Sequence, residues 1–347
     1  MKLWFRTPGF EECSWTYVWR ELFQAFKKLG HEVPSDPFVT PSDVEDYIEL
    51  WWGDPRDWDW SGLPVKIKAG VALTEARSIL TEGRQKVFEN IRECSVLFCP
   101  TRSALTGFEE APIDDVDFHI VPLGVNDSRY VYINRKWDKT LKFLLVGHSQ
   151  FRKGSWLAPE AFITAFNLED DVQLTIACLS GDKSPMFNEL RAEYGRYPQI
   201  NFDPKLKKTL ISLYQEHHIL LSPHLSEGFG LCIPEAMATG MPCIVSRCSA
   251  PREFFSKDYG WWIEMSEYYA PVRNCLPDTA GFWRIPDINS LAEMMRYAND
   301  NREECEKKGM AASKFVLNNL TWKMTARRMV EILETKLAVS PNGRESK

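Results

Sequence analysis

Residues 141–246 alternate between short apolar stretches and helix-forming stretches, and this alternation constrains the fold more than any other feature of the chain. Strands that alternate with helices of this length pair in parallel, with helices on both faces of the sheet. In such a doubly wound α/β sheet, ligands bind at the carboxyl ends of the strands. The predicted strands cover residues 141–146, 172–179, 200–202, 218–222 and 242–246, and the predicted helices lie near 156–166, 186–194, 205–215 and 234–239.

The first part of the chain is less regular. A strand predicted at Lys2–Phe5 leads to a helix at Tyr17–Leu29, and further strands are predicted at 95–99 and 118–121. Residues 34–64 contain five prolines and receive no assignment, because proline interrupts both helices and sheet ladders.

The length of 347 residues suits two domains, each large enough to bury a core of its own. The polar stretch 126–138 lies between the two patterned regions and is the predicted linker. We therefore predict an N-terminal domain at 1–130 and a C-terminal domain at 131–321. The amphipathic final helix, Trp322–Leu337, is expected to pack back on the first domain as part of segment 322–340.

The net charge of −6 is unevenly distributed. Residues 1–125 contain 13 Lys and Arg against 21 Asp and Glu, a balance of −8, which leaves +2 for the remainder. An acidic first part repels phosphate backbones and anionic lipid, so it disfavours docking on either by bulk charge. A local basic groove could override this average.

The side-chain composition narrows the class further. Nine cysteines form no Cys-x-x-Cys pair and no metal-ligand spacing, so we expect free thiols in a reducing compartment and no metal centre. No apolar stretch is long enough for a signal peptide or a membrane span, which predicts a cytoplasmic protein without a transmembrane segment. Most of the 13 tryptophans are expected in the core, and an exposed minority could stack on sugar rings.

The segment Glu227–Ser246 is the most informative about function. Two carboxylates, Glu227 and Glu235, are separated by seven residues that contain a Gly-Phe-Gly-Leu turn and the start of a predicted helix. Carboxylates accept hydrogen bonds from sugar hydroxyls, while backbone N–H groups at a glycine-rich helix start bind phosphate. The segment therefore predicts a site for a ligand with both hydroxyls and phosphates.

This segment closely resembles the donor-binding signature of the retaining glycosyltransferases of family 4, also called glycosyl transferases group 1. The match runs from Ser226 to Pro242, and other landmarks follow in the order typical of the family. Val121–Asn126 resembles the interdomain Pro-x-Gly-Val-Asp segment, and Val146–Gly154 resembles the phosphate-binding loop. Phe282–Asp287 and the pair Thr321-Trp322 resemble the C-terminal landmarks.

The resemblance implies a fold and a reaction. The fold is GT-B, with two Rossmann-like domains facing across a cleft, of which the N-terminal domain (1–130) is expected to bind the acceptor and the C-terminal domain (131–321) the nucleotide-sugar donor. The reaction moves a hexose from a UDP- or GDP-linked donor to an acceptor hydroxyl, with retention of anomeric configuration and no metal or other cofactor. In this family the acceptor attacks the face from which the diphosphate leaves, and a phosphate oxygen takes its proton, so the paired carboxylates of a glycosidase are not required.

Carried over by position, the resemblance gives the two acids different roles. Glu235 is expected to bind the ribose hydroxyls, and Glu227 a hydroxyl of the donor sugar beside the anomeric carbon. Lys153 is expected to neutralise the leaving diphosphate, which is the largest electrostatic demand of the reaction.

Glycines and backbone groups complete the predicted donor site. Gly147, Gly228 and Gly230 permit close approach of the backbone to the ligand. The N–H groups of Phe229, Gly230 and Leu231 are expected to reach sugar hydroxyls and the diphosphate.

The predicted phosphate loop departs from the family at one position. The family has arginine directly after the first glycine, where this chain has His148. A histidine supplies positive charge only when protonated, so the predicted activity falls as pH rises through its pKa. Arg152 either compensates for this change or is a solvated surface charge.

The acceptor side is weakly defined by the sequence. Gly9 lies in the loop after the first predicted strand, and Glu75 either orients the acceptor or forms a buried structural ion pair. A glycan or saccharide is the preferred acceptor. One alternative is a hydroxymethylated base in DNA, as modified by phage-type enzymes, and another is a non-catalytic protein that binds sugar nucleotides.

Overall fold

The structure is a computed structural model that describes residues 1–7, 9, 14–74, 78–79, 81–108, 115–137, 139–204, 209–271, 279–280 and 282–339. The chain divides into two compact units. Unit 1 contains residues 1–124 and 320–347, and unit 2 contains residues 125–319.

Unit 1 is built on a five-stranded parallel sheet in the order β1-β2-β3-β5-β6. Beyond β1, a single parallel bridge joins Lys2 to Glu32. Strand β1 therefore lies between a chain segment that follows it on one side and the rest of the sheet on the other. The elements of this unit are β1 (Lys2–Arg6), α1 (Ser14–Lys28), β2 (Tyr47–Trp52), β3 (Ile67–Val71), β4 (Ser78–Ile79), α2 (Thr81–Arg92), β5 (Val96–Cys99), α3 (Arg102–Leu105), β6 (Asp117–Ile120) and α10 (Trp322–Val339).

Strand β2 lies within residues 34–64, which received no assignment from the sequence. All six of its residues are buried, so it lacks the alternation of apolar and polar residues that marks a half-exposed strand. Its Glu49 is fully buried and is neutralised by Arg6 from β1. Strand β3 and helix α2 are also missing from the sequence prediction. Strand β3 contains a lysine and a glycine, which are uncommon in strands.

The final helix packs within unit 1, as predicted. Helix α10 contacts α1, and Thr325 donates a hydrogen bond of 2.8 Å to the carbonyl of Pro122. The contact is close at Gly124, where an added Cβ would lie 2.2 Å from the backbone nitrogen of Trp322.

Unit 2 is built on a six-stranded parallel sheet in the order β12-β11-β10-β7-β8-β9. Its elements follow the predicted alternation closely, although the helix predicted at 205–215 begins at Leu210, and residues 205–208 lie outside the described chain. The elements are β7 (Leu141–Gly147), α4 (Leu157–Ala165), β8 (Val172–Cys178), α5 (Pro185–Tyr194), β9 (Ile200–Asp203), α6 (Leu210–Glu216), β10 (Ile219–Ser222), α7 (Cys232–Ala238), β11 (Cys243–Ser246), β12 (Gly260–Ile263), β13 (Met265–Pro271), β14 (Thr279–Ala280), β15 (Phe282–Pro286), α8 (Ile288–Asp300) and α9 (Arg302–Asn319).

The parallel sheets confirm the predicted doubly wound α/β architecture. In unit 2, apolar residues of β7 and β8 pack against α4 and α8 to form the largest part of the core. The seven cysteines within the described residues are free thiols. Within those same residues, no helix is both long and apolar enough to span a bilayer. The domain boundaries predicted at 130 and 321 remain predictions.

Candidate functional site

The candidate site lies where the strand order of unit 2 reverses. From β7 the chain runs outward through β8 and β9, and it then returns to β10 on the other side of β7. The loops that leave β7 and β10 are therefore neighbours at the carboxyl edge of the sheet. In open parallel sheets, ligands bind at this switch point.

Glycines shape the loop after β7. Gly147 has φ of +143°, and an added Cβ would meet no atom within 4 Å, so the backbone faces open space there. Gly154 has φ of +63°, and an added Cβ would lie 1.8 Å from the carbonyl oxygen of Pro223. Only glycine fits at position 154, and its contact holds the loop after β7 against the loop after β10.

Three charged residues meet between these loops. The Glu227 carboxylate pairs with Lys153 through one oxygen and with Arg152 through the other, at 3.2 Å. Arg152 also donates a 2.7 Å hydrogen bond to the carbonyl of Ser226. The Lys153 side chain is 26% exposed, whereas those of Arg152 and Glu227 are 7% and 5% exposed. Lys153 is thus the more accessible of the two cations, and the surface position considered for Arg152 is excluded.

The two cations fix the charge of the acid. Burial alone would raise the pKa of the Glu227 carboxyl, but the charges of Lys153 and Arg152 outweigh this effect and hold that pKa at about 2. Glu227 is therefore ionised across the physiological pH range. It can accept a hydrogen bond from a ligand hydroxyl, and it cannot donate a proton to one.

Glu235 lies in the first turn of α7 and is buried. It accepts a 3.1 Å hydrogen bond from the hydroxyl of Tyr214 on α6. Arg135 anchors Tyr214 by donating 2.7 Å and 2.9 Å hydrogen bonds to the carbonyls of Tyr214 and His217. Neither Tyr214 nor Arg135 could be predicted from the sequence, because neither belongs to a recognisable motif.

The turn between the two acids presents backbone rather than side chains. The Phe229 ring is buried, with its centroid 5.0 Å from that of Phe254, so this side chain serves the core. Gly230 has φ of +84°, which favours glycine. Within the described residues, no protein group accepts a hydrogen bond from the N–H groups of Phe229, Gly230 and Leu231.

His148 follows Gly147 and is half-buried, with its Nδ1 hydrogen-bonded to the hydroxyl of Ser180. Burial lowers the pKa of its imidazole, and the nearby charges of Lys153 and Arg152 lower it further. Since the ordinary pKa of histidine is about 6.5, His148 is neutral at pH 7. If deprotonation of His148 lowers activity, that fall therefore occurs below pH 6.5.

The lowered pKa of His148 leads to a prediction about the pH dependence of activity. Between pH 7 and 9 the neutral His148 does not change charge, so we expect His148→Asn, which retains a group able to hydrogen-bond Ser180, to leave the shape of the rate–pH profile unchanged there. Steady-state donor turnover from pH 5 to 9 measures both profiles. A wild-type decline above pH 7 that disappears in the variant would contradict the neutral assignment.

A second segment holds the loop that carries Glu227. Ser249 accepts a 2.9 Å hydrogen bond from the Glu227 N–H, and the Ala250 N–H donates to the Glu227 carbonyl at 3.3 Å. The Cys248 thiol lies 3.3 Å from the Leu225 carbonyl oxygen. Ser249 adopts φ of +47° and ψ of −147°, a region normally reserved for glycine. A strained backbone thus places the Ser249 hydroxyl on the backbone N–H of Glu227.

A matched pair of substitutions separates this strain from the hydrogen bond. Ser249→Gly and Ser249→Ala both remove the hydroxyl, but only alanine keeps a Cβ at a positive φ. We expect Ser249→Ala to be less stable than Ser249→Gly by about 1 kcal/mol. Urea unfolding followed by tryptophan fluorescence measures the order, and equal or reversed stabilities would contradict the strain.

Of the two residues predicted on the acceptor side, the structure describes only Gly9. Gly9 belongs to unit 1 and lies after β1, where its carbonyl accepts a 3.3 Å hydrogen bond from Thr7 and an added Cβ would meet no atom within 4 Å. Glu75 lies outside the described residues. Among the residues described, no group of three or more His, Cys, Asp or Glu side chains is arranged to hold a metal ion.

Comparison with curated proteins gives distant relatives. The D-inositol 3-phosphate glycosyltransferase of Corynebacterium glutamicum is 30% identical over 108 residues, which are 29% of this chain and 26% of that protein. The MMP alpha-(1->4)-mannosyltransferase of Mycolicibacterium hassiacum is 22% identical over 304 residues, or 87% of this chain and 64% of that protein. The chain thus spans between about a quarter and two thirds of these relatives.

Solved structures resemble the whole chain. Sucrose-phosphate synthase from Thermosynechococcus elongatus superposes with a TM-score of 0.74 at 14% identity, covering 98% of this chain and 99% of that one. HepE from Anabaena, in its complex with UDP and glucose, superposes with a TM-score of 0.68 at 13% identity, covering 96% and 100%. Identities this low show the fold alone, and these structures confirm the predicted GT-B class.

The family model described as glycosyl transferases group 1 matches residues 132–270. This range contains Lys153, Glu227 and Glu235 together with the loops that hold them. The segment is therefore similar to the glycosyl transferases group 1 family, within a chain that has the GT-B fold.

Proposed function

We propose that this protein is a retaining hexosyltransferase that moves a hexose from a nucleotide-diphosphate sugar to a hydroxyl of a glycan or saccharide. One observation carries the proposal: an accessible lysine and an ionised, buried glutamate meet at the switch point of a group 1 domain. A cation and a hydrogen-bond acceptor side by side suit a ligand whose phosphate and sugar hydroxyls are adjacent.

In the proposed step, the bond between the anomeric carbon and the diphosphate oxygen breaks, and a bond from the acceptor oxygen to that carbon forms. The acceptor proton passes to a phosphate oxygen, and the nucleoside diphosphate leaves. Lys153 stabilises the charge that develops on the leaving group. The N–H groups of residues 229–231 bind the same group.

The two acids orient the donor. Glu227 accepts from a hydroxyl of the hexose, and its fixed negative charge stabilises the positive charge that develops at the anomeric carbon. Arg152 holds Glu227 in place from the buried side. Glu235, fixed by Tyr214, accepts from the ribose hydroxyls. A UDP-linked donor is the first to test, because HepE has been solved in complex with UDP-glucose.

A donor screen tests the proposal. The protein is incubated with UDP-, GDP- and ADP-linked hexoses without acceptor, and released nucleoside diphosphate is measured. With a saccharide acceptor added, NMR of the product gives the anomeric configuration, which is expected to match that of the donor. An inverted product would refute retention, and binding without any turnover would favour a non-catalytic sugar-nucleotide binder.

The DNA alternative has a separate test. Binding to duplex DNA through phosphate contacts weakens steeply as salt rises. A gel shift with hydroxymethylated duplex at low and high salt, together with glucosylation of that duplex, would favour this acceptor. We expect neither.

A further inference from the structure

A cavity of about 270 Å³ opens at the amino edge of the unit 2 sheet. Its wall includes Lys142 in β7 and His218, which directly precedes β10. The loops of the candidate site leave the carboxyl ends of these same two strands. Strand β7 has seven residues. At a rise of about 3.3 Å per residue, the cavity lies roughly 20 Å from the candidate site and is separate from it.

The wall of this cavity carries an excess of positive charge. It contains Arg135, Lys136, Lys139 and Lys142, against one acid, Glu216. Arg135 is buried and donates hydrogen bonds to main-chain carbonyls, so the carbonyl dipoles balance its charge. Among the residues that the structure describes, no ion pair involves any of the three lysines. Their charges therefore remain available to an anion.

The imidazole of His218 is affected by the same charges. Its Nδ1 accepts a 3.1 Å hydrogen bond from the N–H of Lys142, so its Nε2 carries the proton and donates at 3.1 Å to the carbonyl of Lys136. Burial lowers the pKa of His218, and the positive charges of Arg135, Lys142 and Arg302 lower it further. His218 is therefore neutral at pH 7, and the positive charge of the wall comes from its lysines and arginine.

The backbone of the wall is held in place by protein contacts. Trp137 packs on His218, with ring centroids 5.4 Å apart. Arg302 of α9 donates hydrogen bonds to the carbonyl of Trp137, at 3.0 Å, and to the carbonyl of Lys139. The carbonyl of Lys136 is held by His218. A backbone that is already fixed lowers the entropic cost of gathering the lysines around a ligand.

The size of the cavity limits its ligand. At about 30 Å³ per molecule of liquid water, its volume corresponds to roughly nine waters. This is room for a small anion and not for a nucleic-acid strand. Lysine ammonium groups bind phosphate as point charges. The hydroxyl of Thr140 and the amide of Asn134, which also line the cavity, can donate hydrogen bonds to phosphate oxygens.

We propose that this cavity binds a small phosphate-bearing anion through Lys136, Lys139 and Lys142, at a site separate from that of the nucleotide sugar. The inference goes beyond the proposed function and does not depend on it. Inorganic phosphate, pyrophosphate and a sugar phosphate share the chemistry that the site recognises, so the experiment compares all three.

Lysine acylation followed by mass spectrometry tests the site in the wild-type chain. The rate of acylation by acetic anhydride is measured for each lysine with and without inorganic phosphate, pyrophosphate or glucose 6-phosphate. We expect at least one of these anions to slow acylation of Lys139 and Lys142 roughly tenfold, at a concentration about ten times its Kd. Lys314, at an exposed position of α9, should react equally fast in all samples. The anion that protects at the lowest concentration identifies the source of the phosphate.

Variants separate this site from the candidate site. Calorimetric titration with the protecting anion should show binding weakened about tenfold or more in Lys139→Met/Lys142→Met, because charged hydrogen-bond donors are lost. Lys139→Arg/Lys142→Arg keeps both charges and should bind nearly as the wild type does. Lys153→Met removes the accessible cation of the candidate site and should leave the protection of Lys139 and Lys142 unchanged.

The same measurements can overturn the proposal. It fails if none of the three anions protects Lys139 and Lys142 in the wild-type chain, or if Lys139→Met/Lys142→Met binds the anion as tightly as the wild type does. Loss of the protection in Lys153→Met would place the anion at the candidate site instead. Protection by duplex DNA and by none of the small anions would show a nucleic-acid surface in place of this site.

Discussion

Replacement of Lys153 by methionine is expected to lower the turnover number for donor cleavage by roughly 10²- to 10³-fold. The variant keeps most of the side-chain volume and removes the only charged end in the cluster that is appreciably exposed among the residues described. The leaving diphosphate then loses its cation. Glu227 also loses one of the two charges that hold its pKa down. If Arg152 alone keeps Glu227 ionised, the carboxylate that Lys153 no longer neutralises disfavours an anionic ligand further.

Initial rates of nucleoside diphosphate release at saturating donor measure the effect. Lys153→Arg keeps the charge and is expected to retain more activity than Lys153→Met. Lys314→Met, at an exposed position of α9, controls for the loss of a lysine as such. Turnover in Lys153→Met equal to that of the wild type would remove this residue from the proposed mechanism.

Replacement of Glu235 by glutamine is expected to weaken nucleoside diphosphate binding by roughly 10- to 100-fold, because hydrogen bonds to a charged acceptor contribute about 1.5–3 kcal/mol. The amide has the shape of the carboxylate but lacks its charge and half of its acceptor capacity. Titration calorimetry with UDP and GDP measures the loss.

A modified ligand locates the lost contact. A 2′,3′-dideoxy nucleotide should bind the wild type more weakly than the ordinary nucleotide and should bind Glu235→Gln almost equally. Tyr214→Phe removes the hydrogen bond that orients Glu235 while keeping the carboxylate, so an intermediate loss is expected. If Glu235→Gln discriminates between the two nucleotides as strongly as the wild type, Glu235 does not bind the ribose.

The sequence predicts unit 2 far better than unit 1, for a physical reason. In unit 2, apolar strands alternate with amphipathic helices, and turn residues separate them, so local pattern and tertiary structure agree. In unit 1, β2 is buried throughout and contains Glu49, whose charge is neutralised by a residue 43 positions away. No local pattern reveals a partner at that separation.

Some residues of the candidate site can likewise be predicted from the sequence, and others cannot. Glu227 and Glu235 lie in one contiguous motif, so the sequence is sufficient to single them out as candidates. The direction of the Arg152 side chain depends on Ser226 and Glu227, more than 70 positions later, and only the folded chain shows that it points inward. Ser249 follows the carboxyl end of a predicted strand, where sites occur, but its positive φ cannot be read from a serine.

The composition of unit 1 has a consequence for synthesis on the ribosome. Its last helix, α10, is encoded after the whole of unit 2, the 195 residues from 125 to 319. At translation rates of about 5–20 residues per second, the first 124 residues wait roughly 10–40 s for the helix that packs on α1. Unit 2, which is continuous in the chain, can be completed earlier. Unit 2 is therefore expected to fold first, while the surface of α1 that packs on α10 stays uncovered until α10 has been made.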